Sequence, residues 1–264
     1  METEESGGLV RLRREGGVAL LRLDNPPLNI LSRELYRHLE ERLDAVAGDR
    51  DVRAVVLAST GRRAFSAGAN IKEFASYTTA REARAFGDMV HRISMKLADL
   101  PQPTIAAVEA VALGGGCELI LYCDLRVSGD AARFGFPEVT VGQFPGTGGT
   151  EWLPRILGEA KAKELMFTGD MIDAAEAFRV GLVNRLVPAG QAEQAALELA
   201  RTIAGRPAVA VRAIKESIRR GRGVSPEVHR SIQVELMQRV FQSEDAAEGY
   251  AAFLEKREPR FRHR

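Results

Sequence analysis

Strand-like and helix-like apolar patterns alternate along roughly the first 200 residues, and this alternation constrains the fold more than any single motif does. Residues 9–13 and 18–23 read as a hairpin around Glu15-Gly16-Gly17, and Asp24-Asn25-Pro26-Pro27 stops its second strand. From Ser32, a good N-cap, Leu35, Leu39, Leu43 and Val46 recur at helical spacing up to Gly48. Residues 52–58 read as a buried strand and 64–68 as a short extended piece. A second amphipathic helix covers 79–98, with Phe86, Val90, Ile93 and Leu97 on one face, and Pro101 and Pro103 end it. Residues 104–113 read as one apolar strand, followed by the turn Gly114-Gly115-Gly116 and a helix to Tyr122. Short strands at 124–128 and 132–136 lead to a loop at 142–149 rich in glycine and proline. Past Gly205 only helical patterns remain, at 207–220, 226–243 and 245–256. The expectation is an α/β core over residues 1–204 and a helical region over 205–264 that packs on the body or on another subunit.

Charge narrows the partners. Thirty-seven Lys and Arg against 36 Asp and Glu leave a net charge of +1, so no global field selects nucleic acid or an anionic membrane. The acidic first residues, Met1-Glu2-Thr3-Glu4-Glu5, lack the form of a signal peptide, and no run approaches a membrane span, so the expected location is the cytoplasm. Cys117 and Cys123 fit neither a redox pair nor a zinc ribbon and read as buried thiols; the four histidines share no ligand spacing. The basic end, 256–264, reads as a solvated tail beside a subunit contact. Twenty-five glycines with only 6% aromatics suggest a chain whose backbone approaches a ligand closely.

Three segments carry candidate chemistry. Gly114-Gly115-Gly116 leaves peptide N–H groups open where a helix starts, an arrangement that suits an oxyanion or merely a tight turn. Glu118 follows among apolar residues, and Glu138 stands in Phe136-Pro137-Glu138-Val139; each is an ordinary paired carboxylate or, with the other, half of an acid/base pair around a water. The small residues around Gly68, before Asn70, Ile71 and Lys72, let a ligand lie against backbone or simply relieve a crowded strand end.

Taken together and in order, Asp24-Asn25-Pro26-Pro27-Leu28-Asn29-Ile30-Leu31, residues 64–72, 114–118, Pro137-Glu138, Pro145-Gly146-Thr147-Gly148-Gly149-Thr150 and Glu255-Lys256-Arg257 resemble the enoyl-CoA hydratase/isomerase, or crotonase, family over nearly the whole chain. The resemblance implies a spiral of ββα turns with a C-terminal helical oligomerisation region, and trimers commonly stacked as hexamers. It implies an acyl-CoA thioester as ligand, with CoA entering as part of the substrate and no metal or redox cofactor. By matching motifs, the backbone N–H groups of Ala69 and Gly115 form the oxyanion hole. Glu118 takes a proton from water attacking C3, and Glu138 delivers one to C2. CoA contacts fall on Leu28, Ala69, Asn70, Ile71 and Lys72, with Arg62 and Arg63 either near the phosphates or in a solvated turn. Asn70 departs from the aspartate common in relatives. Residues 73–92, with Phe136 and Phe144, correspond to the acyl-pocket wall, Phe86 being read as helix core.

The expected activity is reversible syn hydration of a 2-enoyl-CoA to a 3-hydroxyacyl-CoA. The alternatives are an enoyl-CoA isomerase or a pathway-specific dehydratase and, from another class, a non-catalytic acyl-CoA- or RNA-binding relative.

Overall fold

Apolar strands buried on both faces need a cover on each, and here the chain supplies it turn by turn. The computed structural model describes residues 3–5 and 7–264. Strands β1 (Thr3–Glu5), β2 (Val10–Glu15) and β3 (Val18–Leu23) lead into α1 (Arg33–Ala47). Next come β4 (Ala54–Ser59), β5 (Ala64–Ser66), α2 (Ile71–Ser76) and α3 (Ala80–Asp99). A third turn holds β6 (Thr104–Val108), β7 (Val111–Leu113) and α4 (Gly115–Leu121). The fourth holds β8 (Leu125–Gly129), β9 (Arg133–Gly135), a 3-10 turn over Pro137–Val141, α5 (Gly149–Leu157) and α6 (Glu159–Thr168). After β10 (Met171–Asp173), α7 (Ala174–Arg179), β11 (Arg185–Val187) and α8 (Ala192–Ala204), the chain ends in α9 (Ala208–Arg220), α10 (Pro226–Phe241) and α11 (Glu244–Glu255).

From β4 to β9, successive strands alternate between two sheets. The larger sheet has the order β1-β2-β3-β4-β6-β8-β11, and the smaller one β10-β9-β7-β5. Pairing is parallel from β3 to β11 and from β5 to β9, so β4, β6 and β8 each hand the chain to a partner in the second sheet before a helix returns it. This is a ββα spiral. One face of the large sheet is closed by α8, whose Ala192, Ala196, Ala200 and Ala204 lie four apart and pack on Leu20, Val56, Ile105 and Val127. The other face carries the main core, to which α1 contributes Leu35, Leu39 and Leu43 and α3 contributes Phe86, Val90, Ile93 and Leu97.

One expectation is corrected. Residues 104–113 are not a single strand: β6 belongs to the larger sheet and β7 to the smaller. Both halves are apolar, so periodicity could not reveal the break. Glu109 makes the junction, its carboxylate accepting the amides of Gly190, at 2.8 Å, and Ala192 where α8 begins. The strand of the preceding turn starts later than its apolar run, at Ala54.

The helical region is tied to the body chiefly through α9. Lys215 Nζ lies 2.7 Å from Asp124 Oδ2 and donates to the Gln102 carbonyl at 3.0 Å. Ala213 of α9 packs on Ile232 and Leu236 of α10. Ile214, Ile218, Met237 and Phe241 remain exposed, as do Phe253 and Leu254 at 83% and 80% of their surface. No helix among the described residues is long and apolar enough to cross a membrane.

Candidate active site

The three candidate segments converge where β5 and β7 end. The loop before α1 is fixed by the buried side chain of Asn29, which donates to the carbonyls of Thr60 and Ala64 at 2.8 and 3.0 Å and accepts from the Asn25 amide at 2.9 Å. Leu28 O then accepts from Ala67 N at 2.9 Å, which sets Leu28 beside the 67–69 segment. Leu31 and Ala69 form a parallel bridge, made by Leu31 N to Gly68 O and Asn70 N to Leu31 O. The bridge uses the groups flanking Ala69 and turns its own N–H to the opposite side.

That side faces the start of α4. Gly68 adopts φ +97°, and a Cβ there would lie 2.9 Å from Leu113 O and 3.4 Å from Gly115 N. Only glycine allows this approach. A Cβ on Gly115 would stand 3.6 Å from Ala69 N, so the two amides border one small space. All seven residues of α4 are buried, and Gly114 provides no side-chain cap. The first amides of a helix have no partner within it, and burying them favours an acceptor from outside the chain.

Glu118 is 4% exposed. Its carboxylate accepts from Thr147 N and Gly149 N, both at 2.8 Å, and from the Thr147 hydroxyl. Burial pushes its pKa up, while these three donors and the N-terminus of α5 favour the ionised form. Glu138 stands in the opposite situation. Both its carboxylate oxygens are buried without a hydrogen-bond partner, and burial, aided by the charge of Glu118, raises its pKa to about 7. It adjoins the glycine triplet, since a Cβ on Gly114 would fall 3.0 Å from its Oε1. Two carboxyl groups thus stand by the glycine triplet, both raised by burial, one accepting three hydrogen bonds and the other accepting none.

Cys117 and Cys123 are both buried and free, as expected. Burial pushes the Cys117 thiol up and that of Cys123 to about 12, so neither is a ready nucleophile.

Not every expected residue comes to the site's inner edge. Leu28, Ile71 and Lys72 are exposed along its rim, and Asn70 is engaged locally, accepting from Lys72 N and donating to Glu73. Arg62 and Arg63 are exposed in the turn before β5. Phe86 lies in the core as expected; Phe136, expected at the acyl-pocket wall, is fully buried in the same core and lines no open surface. Phe144 is exposed. Thr147 and Gly149, the donors to Glu118, carry no role in the sequence reading; the only local signal for them is a hydroxyl placed just before a helix start.

Comparison with known proteins agrees with this geometry. Residues 13–264 match the model of the enoyl-CoA hydratase/isomerase family. The chain is 38% identical over 249 residues to a short-chain-enoyl-CoA hydratase of Clostridium acetobutylicum, covering 94% of this chain and 95% of the relative. It is 37% identical over 251 residues to a crotonyl-CoA hydratase of Syntrophomonas wolfei, covering 95% and 96%. A crystal structure of an enoyl-CoA hydratase from Bacillus anthracis superposes with a TM-score of 0.90 at 35% identity, over 100% of this chain and 99% of that one. The spiral of ββα turns, the sequence match along nearly its whole length and these neighbours place the chain in the enoyl-CoA hydratase/isomerase, or crotonase, family.

Proposed function

We infer that the protein is an enoyl-CoA hydratase and that Glu118 and Glu138 perform its acid–base chemistry. The observation that carries this reading is the pair of unlike carboxyl groups beside two amides that border one space. The thioester carbonyl oxygen accepts from Ala69 N–H and Gly115 N–H, which stabilise the negative charge that develops there as water adds. Glu118, whose anion the donors Thr147 and Gly149 stabilise, accepts a proton from the water as its oxygen bonds to C3. The electron pair of the double bond moves toward the carbonyl, and Glu138 gives its proton to C2. Proton exchange with solvent resets the pair. An isomerase needs to move one proton between carbons, so a second poised carboxyl favours hydration.

For CoA we assign the rim formed by Leu28 and by Ala69, Asn70, Ile71 and Lys72, with the Lys72 ammonium toward the phosphates. The exposed apolar faces of α9, α10 and α11 are assigned to contacts between subunits of a trimer or a dimer of trimers. The test is direct. Wild-type protein is expected to consume crotonyl-CoA with loss of the conjugated thioester absorbance. Glu118→Gln and Glu138→Gln should each lower kcat by on the order of a thousandfold while acyl-CoA still binds. Tight acyl-CoA binding by a wild type that hydrates no enoyl-CoA, whatever the chain length, would sink the hydratase reading.

A further inference from the structure

The segment that holds Glu118 is itself held. Tyr122 lies four residues beyond Glu118, on the same side of α4. Its hydroxyl donates to the carbonyl of Thr147 at 2.9 Å. A Cβ on Gly148 would fall 2.6 Å from that hydroxyl oxygen, so the phenol rests directly on the backbone between the two amides that bind Glu118. The Tyr122 ring packs on Trp152 of α5, with centroids 5.5 Å apart. The guanidinium of Arg222, in the turn between α9 and α10, sits 4.3 Å from the centroid of Trp152. A continuous stack therefore runs from the C-terminal helical region to the backbone that orients Glu118.

We propose that Tyr122 is a positioning residue for Glu118, acting through Thr147, and that Arg222 clamps the stack from the C-terminal region. The proposal rests on Glu118 being the base of a hydratase. Space filling alone would require only the ring, and phenylalanine would serve equally. The hydroxyl adds a fixed point for a loop that ends in two glycines. With Thr147 anchored, its N–H and hydroxyl point steadily at the carboxylate, and the ionised form is favoured.

Tyr122→Phe separates the two roles, because it keeps the ring and removes only the anchor. Weaker donation to the carboxylate stabilises the anion less, so the pKa of the base rises and the acid limb of the kcat/KM profile moves to higher pH. A shift of about half a pH unit is expected, with kcat lowered about threefold to tenfold and KM within about twofold. Arg222→Gln, at an exposed turn, should move the limb in the same direction by less. Superimposable profiles for Tyr122→Phe and wild type would overturn the proposal. Should the phenylalanine variant not fold, the Arg222→Gln profile decides: a shift supports the stack, and coincidence with wild type overturns it. An inactive wild type would instead sink the functional reading on which this one rests.

Discussion

Glu138 is the residue whose environment asks for the most explanation, because two carboxylate oxygens buried without partners are costly as an anion. With a pKa near 7, the group holds a proton about half the time at neutral pH. Hydration uses the protonated form, so its kcat is expected to fall as pH rises through about 7, while dehydration, which needs the anion to accept a proton from C2, should gain over the same range. Initial rates measured in both directions from pH 5.5 to 8.5 check this. Linkage follows the same sign: the folded state holds a proton that the unfolded chain releases, so this group's contribution to stability is lost as pH rises from the ordinary carboxylate range through about 7. Glu138→Gln should therefore be more heat-stable than wild type at pH 8, by about 2 °C, and no more stable at pH 5. The sequence showed both glutamates by their apolar neighbours. It did not show why they differ, since the donors to Glu118 lie some thirty residues away and meet it only in the fold.

At the scale of elements, the site depends on α4 lying against β5. A Cβ on Gly116 would stand 2.5 Å from the Ser66 carbonyl oxygen, so Gly116→Ala should force the helix away and destabilise the protein by about 1–3 kcal/mol. Gly68→Ala should cost both folding and rate: the positive φ and the backbone contact with Leu113 O destabilise the protein by about 1–3 kcal/mol, and misplacing the Ala69 amide, the proposed oxyanion donor, should lower kcat on the order of a hundredfold. Thermal denaturation and initial rates, read side by side, separate the two effects. Helices were the legible elements, because N-caps such as Ser32 and stripes such as Leu35, Leu39 and Leu43 are local signals. The division of residues 104–113 between sheets was not legible, because a strand's choice of sheet is made by distant partners, here the start of α8 bound by Glu109.

For the whole molecule, the spiral core carries the proposed catalytic groups and the helical region is joined to it by a few polar ties. Lys215, with its side chain mostly buried beside Asp124, is the strongest of these, and Lys215→Met should lower stability by about 1–3 kcal/mol. Thermal denaturation of this variant should show a lower Tm. The near-zero net charge suits a protein that gathers its anionic ligand with local cations and backbone amides. In the proposed reaction, two carboxyl groups on the same side of the bound enoyl thioester add the elements of water together. Converting crotonyl-CoA in deuterium oxide and locating the label in the product by NMR reads the stereochemistry of that addition. The expected product carries a hydroxyl at C3 and a single deuterium at C2 on the same face. Addition to opposite faces, or deuterium entering C2 with no hydroxyl at C3, would contradict the proposed reaction.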